Sequence, residues 1–121
     1  MGLDYRMGKI ESKFADLIWK HAPIRSTDLV TLAREELGWK KSTTYTVLRK
    51  LCEKGIFENT NAVVRVVQTR KDFYSGLTDS ILEDAFGGSL PAFLAAFTTR
   101  RKLTKEEINE IRSMIDDFEE E

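Results

Sequence analysis

Trp39-Lys-Lys-Ser-Thr-Thr-Tyr-Thr-Val-Leu-Arg-Lys-Leu-Cys-Glu-Lys-Gly55 is the stretch whose pattern decides the fold. Thr44, Val47 or Leu48, Leu51 and Cys52 recur at helical spacing and predict an inward face. Ser42, Tyr45, Thr46, Arg49, Lys50 and Glu53 are then left pointing out. Ser42 and Thr43 are hydroxyl residues expected to open the helix, and Gly55 closes it where a left-handed residue costs least. An outer face of short hydroxyls and long cations suits base edges and phosphates in a DNA groove.

Upstream, Phe14, Ala15, Leu17 and Ile18 share one face of a helix expected over 12–21, with Trp19 flanking it and Pro23 beyond its end. Ser26-Thr27-Asp28 offers a cap for a second helix carrying Leu29, Val30, Leu32, Ala33 and Leu37 and ending at Gly38. The third helix follows within a few residues, which gives a helix-turn-helix pair. After Gly55, Ile56-Phe57-Glu58 and Val63-Val64-Arg65-Val66-Val67 are β-prone runs joined by the turn Asn59-Thr60-Asn61-Ala62. Three helices and a two-stranded hairpin predict a winged helix-turn-helix over 1–75, in a fold that is mainly α with a small β wing.

Residues 76–121 differ in character. Leu77, Ile81, Leu82, Ala85 and Phe86 fit one helical face, Gly87-Gly88 interrupts, and Leu90, Phe93, Leu94 and Phe97 begin a second amphipathic piece. Thr104 and Glu107 form a capping box for a last helix striped by Ile108, Ile111, Met114, Ile115 and Phe118, whose acidic end is expected to fray. Such short helices have too little core of their own. Their apolar faces call for a partner, most economically an identical chain, so 76–121 is expected to be a helical dimerisation region of a homodimer.

Charge follows the same division. The net charge of −1 conceals 14 Lys/Arg against 9 Asp/Glu in residues 1–75, a net +5, and 5 against 11 in residues 76–121, a net −6. A basic front half fits a nucleic-acid module. One cysteine, Cys52, excludes an internal disulfide and a cysteine-rich metal site, and fits a reducing, cytoplasmic setting. No run of apolar residues is long enough for membrane insertion. The sequence has no metal-ligand spacing, phosphate-cradling glycine loop or nucleophile–base pair, so neither an enzyme nor a cofactor is expected.

Ser42, Thr43, Thr46 and Arg49 are the candidates for base-edge or nearby phosphate contact, with Arg49 suited to guanine. Lys40, Lys41, Lys50 and Lys54 suit phosphates. Tyr45 fits either a thymine methyl or a brace for the helix. Arg65, with Arg70 and Lys71 after it, fits flanking phosphates, a minor groove or solvated strand ends. His21 suits a helix C-terminus, Trp19 and Trp39 suit packing, and Cys52 fits a core position or a redox-sensing thiol.

Trp19-Lys20-His21, Trp39 with Ser42 to Leu51, Lys54-Gly55, Gly88-Ser89-Leu90 and Leu103 to Ile108 together resemble the penicillinase repressor family over nearly the whole chain. The resemblance implies a homodimeric winged-helix repressor on a palindromic double-stranded operator, paired through its C-terminal helices. It also implies inactivation, in β-lactam-responsive members, when a membrane-bound sensor protease cuts an Asn-Phe bond in the dimerisation region. Ala96-Phe97 is the corresponding bond here, and it lacks the asparagine. The paired C-terminal cysteines of the copper-responsive branch are missing. The family's wing Gly-Arg pair is replaced by Val63-Val64, and Gln68 and Arg70 stand where Tyr and Pro are usual. Two other readings remain beside the repressor: a winged-helix module that binds another protein, and an architectural binder indifferent to DNA sequence.

Overall fold

The computed structural model describes residues 5–119. Along the chain come α1 (Lys9–His21), β1 (Ile24–Arg25), α2 (Ser26–Leu37), α3 (Lys41–Glu53), β2 (Phe57–Thr60), β3 (Val63–Val66), α4 (Arg70–Phe86), α5 (Leu90–Arg100) and α6 (Lys105–Glu119). Two compact units divide between Ser80 and Ile81, inside α4.

The first unit is a winged helix-turn-helix. Phe14, Ala15 and Ile18 of α1, Leu29 and Ala33 of α2, and Leu48 and Leu51 of α3 bring their helical stripes into one core, closed by Ile56, Phe57, Val64 and Phe73. The stripes follow the 3.6-residue period, so hydrophobic burial and helix phase agree. Gly38 at φ +69° and Gly55 at φ +84° end α2 and α3 in the left-handed region, as expected.

Four details depart from the sequence expectation. First, α1 begins at Lys9, one turn early; Lys9 and Glu11 are polar and Ile10 is 62% exposed, so the opening turn adds nothing to the buried stripe. Second, neither α2 nor α3 is capped by a hydroxyl: the N-caps are Arg25 and Lys40, without side-chain cap bonds. Third, the hairpin turn is only Asn61-Ala62, since β2 runs on to Thr60, and both turn residues lie at positive φ, 54° and 60°. That is the geometry whose twist matches paired strands. Asn tolerates it, whereas Ala62 is strained, and its carbonyl accepts a hydrogen bond from Ser26 N at 2.9 Å that helps hold it. Fourth, the wing has three strands in the order β1-β3-β2, because Ile24 and Arg25 pair with Val64 and Val63.

α4 also starts well before the stripe at Leu77. Thr69 caps it, its Oγ1 accepting from Asp72 N at 3.1 Å, and Phe73 is fully buried against Tyr5, Trp19 and Tyr74. A Cβ on Gly76 would collide with the Tyr5 ring, so glycine there admits the aromatic cluster. Trp19 and Trp39 are the packing anchors expected of them: Trp19 Nε1 donates to the Gln68 carbonyl at 2.9 Å, and Trp39 lies 4.9 Å from Phe14 between ring centres.

The second unit contains the rest of α4, then α5 and α6. Gly87 and Gly88 turn the chain at positive φ, and Ser89 Oγ caps α5 by accepting from Ala92 N at 3.1 Å. The Thr104/Glu107 capping box forms in both directions, at 3.1 Å and 2.9 Å. Phe86 meets Phe93 edge-on at 5.6 Å, yet no described residue of this unit is buried. Glu120 and Glu121, where fraying is expected, lie outside the described residues.

Candidate nucleic-acid interface

The exposed side of α3 is the candidate site. Thr44 is fully buried and both its N–H and its hydroxyl donate to the Lys40 carbonyl, at 3.0 Å each, which ties the first turn of α3 to the residue before it. Ser42 and Thr43 lie within the helix, past the cap position, and stand exposed beside Lys40 and Lys41. Thr46, one turn on, donates its hydroxyl to the Ser42 carbonyl at 2.9 Å, which turns its oxygen lone pairs and methyl outward. Arg49 and Lys50 extend the exposed row. Among the described residues, Lys40, Lys41, Arg49 and Lys50 have no carboxylate within ion-pair distance.

Three other candidates are placed differently. Tyr45 is half-buried and its hydroxyl donates to Ser26 Oγ at 3.3 Å, which makes it a brace between α3 and the start of α2. Lys54 Nζ is held by the Arg6 carbonyl and by Glu11 Oε2, the latter at 3.2 Å, so its charge is already engaged. Arg65 is exposed on β3, directly across from Glu58 on β2. Opposite charges in that register attract, which lowers the positive potential the wing presents. Arg65 makes no ion pair among the described residues, whereas Arg70 is engaged, with Asp16 at 3.0 Å and over the Tyr74 ring at 4.8 Å.

A shallow concavity of about 320 Å³ lies between α3 and the wing, lined by Tyr45, Leu48, Arg49, Cys52 and Asn59. Cys52 is half-buried there, and burial pushes its thiol above the ordinary value, with Glu58 and Glu53 adding to the rise. A thiol held protonated is a poor nucleophile, which favours the packing role over redox sensing. His21 is in the last turn of α1. Among the described residues no cluster of His, Cys, Asp and Glu has the makings of a metal site, and no helix is long and apolar enough to cross a membrane.

The sequence reading missed Arg25, Thr27, Asn59 and Asn61. β1 brings Arg25 to the wing, and Arg25, Thr27, Asn61, Ala62 and Val63 line a second concavity of about 330 Å³. The available signal was slight: an isoleucine and an arginine between a proline and a helix start, with a strand partner almost forty residues away.

In the second unit, Leu90, Phe97, Met114, Ile115 and Phe118 are 59, 39, 60, 52 and 73% exposed, while Phe93, Leu94, Ile108 and Ile111 are half-buried. The Ala96-Phe97 bond lies inside α5, with both residues exposed and Phe97 stacked on Phe93 at 6.3 Å.

Comparison with known proteins adds three findings. A family model described as penicillinase repressor matches residues 7–117. The penicillinase repressor of Bacillus licheniformis is 24% identical over 111 residues, which cover 88% of this chain and 87% of that protein. Among solved structures, Staphylococcus aureus MarR in complex with salicylate and kanamycin aligns with a TM-score of 0.45 at 12% identity, over 94% of this chain and 72% of that one.

Proposed function

The chain belongs to the penicillinase repressor family, which consists of DNA-binding transcriptional regulators and not enzymes, and from that premise we propose a homodimeric repressor whose α3 enters the major groove of a palindromic operator. The observation that carries this reading is the exposed row on α3. Ser42, Thr43, Thr46, Arg49 and Lys50, with Lys40 and Lys41 before them and Glu53 at the far end, face solvent, whereas Tyr45 and Lys54 are engaged within the protein. Arg49 is the base reader, by a bidentate bond to guanine, and the lysines hold phosphates.

The exposed stripes of α5 and α6 supply the dimer interface, through Leu90, Phe93, Leu94, Phe97, Ile108, Ile111, Met114, Ile115 and Phe118. Pairing makes the second half-site contact intramolecular, which commonly strengthens binding by about 10² to 10⁴. Whatever separates the protomers therefore releases the operator. A sensor protease acting at Ala96-Phe97 is one such route, and it requires α5 to unwind locally, because the bond is helical as it stands. The protein works in the cytoplasm, where the operator is.

Selection of fragments from the source genome by the purified full chain tests the proposal. Enrichment of a two-fold symmetric sequence is the expected result. Equal recovery of unrelated duplexes would make the protein an architectural binder, and no recovery at all would favour a winged-helix module that binds protein; either outcome overturns the repressor reading.

A further inference from the structure

We infer that Arg25, and not Arg65, is the wing-side cation that grips the DNA backbone; the inference rests on the DNA-binding reading above and adds to it a contact outside α3. The strand register carries it. Val64 is buried, so the neighbouring positions Val63 and Arg65 belong to the outer face of β3, and Arg25 pairs with Val63 on that same face. Across the sheet, Arg65 stands opposite Glu58, whereas Val63 stands between Arg25 and Thr60. One arginine on this face thus has a carboxylate as its cross-strand neighbour, and the other has an apolar residue.

Arg25 is exposed, and among the described residues it has no ion pair and no side-chain hydrogen bond. Its charge is therefore free for an external anion, in the solvent-open concavity it shares with Thr27 and the turn residues Asn61 and Ala62.

Its position relative to α3 is fixed by the residue that follows it. Ser26, only 4% exposed, donates its N–H to the Ala62 carbonyl at 2.9 Å and accepts the Tyr45 hydroxyl on its Oγ at 3.3 Å. The wing turn, the start of α2 and the reading helix are joined through this one side chain and its backbone. Arg25 precedes that junction, so when α3 lies in a major groove Arg25 is held at a set distance from it, which is what a contact to the flanking phosphodiester chain needs. A cation in that place adds affinity and register without sequence preference.

The test is the salt dependence of binding by the full chain to a fluorescent mixed-sequence DNA duplex. Losing one phosphate partner from each of two protomers makes the slope of log affinity against log salt shallower by about 1.8. R25Q is expected to show that change with an unaltered melting temperature. R25K is expected to retain the wild-type slope, since a phosphate contact needs the charge more than the guanidinium. R65Q is expected to change the slope by less than half as much, and E58Q to steepen it by removing the carboxylate opposite Arg65. A wild-type slope in R25Q, or an equal effect in R65Q, would overturn the inference while leaving the DNA-binding reading intact. Absence of salt-sensitive binding by the wild type would overturn both.

Discussion

Replacing Phe118 with alanine probes the link between the apolar stripe of α6 and DNA binding. Phe118 is 73% exposed in the single chain, so most of its surface is available to a partner. Full burial of a phenylalanine side chain contributes about 1.5 to 3 kcal/mol, and scaling by the exposed share leaves about 1 to 2 kcal/mol per protomer. A two-fold interface counts the residue twice, so F118A should weaken the dimer by about 2 to 4 kcal/mol, or roughly 30- to 900-fold in its dissociation constant. Alanine is the better helix former, which means α6 itself should persist. Sedimentation equilibrium over a concentration series measures the constant directly. S113A, on the opposite side of α6, is the matched control. DNA affinity should fall with the dimer at protein concentrations below the new constant, and recover above it. If F118A associates as tightly as S113A, the stripe is not the dimer interface and the coupling of pairing to operator binding fails.

Three further outcomes follow from single side chains. Arg49→Ala should cost about 1 to 3 kcal/mol of operator affinity and relax choice at one operator position; a uniform loss on every sequence would make Arg49 a phosphate contact instead. Tyr45→Phe removes only the hydroxyl that meets Ser26, and should lower unfolding free energy by about 0.5 to 1.5 kcal/mol in urea titrations while sequence preference stays unchanged. An altered preference at unchanged stability would return Tyr45 to the DNA surface. Cys52 should react with iodoacetamide at neutral pH more slowly than free cysteine, because burial and the two glutamates raise its pKa above the ordinary 9.0. The folded chain then holds that proton more tightly than the unfolded one. This contribution to stability is intact below the ordinary value and lost as pH rises through the raised one. Melting curves of C52A should accordingly show a smaller alkaline loss than wild type.

The sequence by itself determined the order of the helices, the β2–β3 hairpin and the polar face of α3 that is proposed to meet DNA. Local physics writes these directly: the stripe of Thr44, Leu48 and Leu51 fixes the phase of α3, the glycines at 38 and 55 mark its neighbourhood, and the Thr104/Glu107 box fixes the start of α6. Only the tertiary structure decided which polar groups on that face are free. Lys54 reads as a cation like Lys50, but Glu11 reaches it from α1, and Arg65, though unpaired among the described residues, stands opposite Glu58 across a strand pair. Tyr45 became a brace because Ser26 lies beneath it, and Arg25 joined the wing through a two-residue strand too short to leave a pattern. Periodicity records which side of an element is apolar. Pairings between segments twenty to fifty residues apart depend on chain path and register, and no local run of residues encodes them.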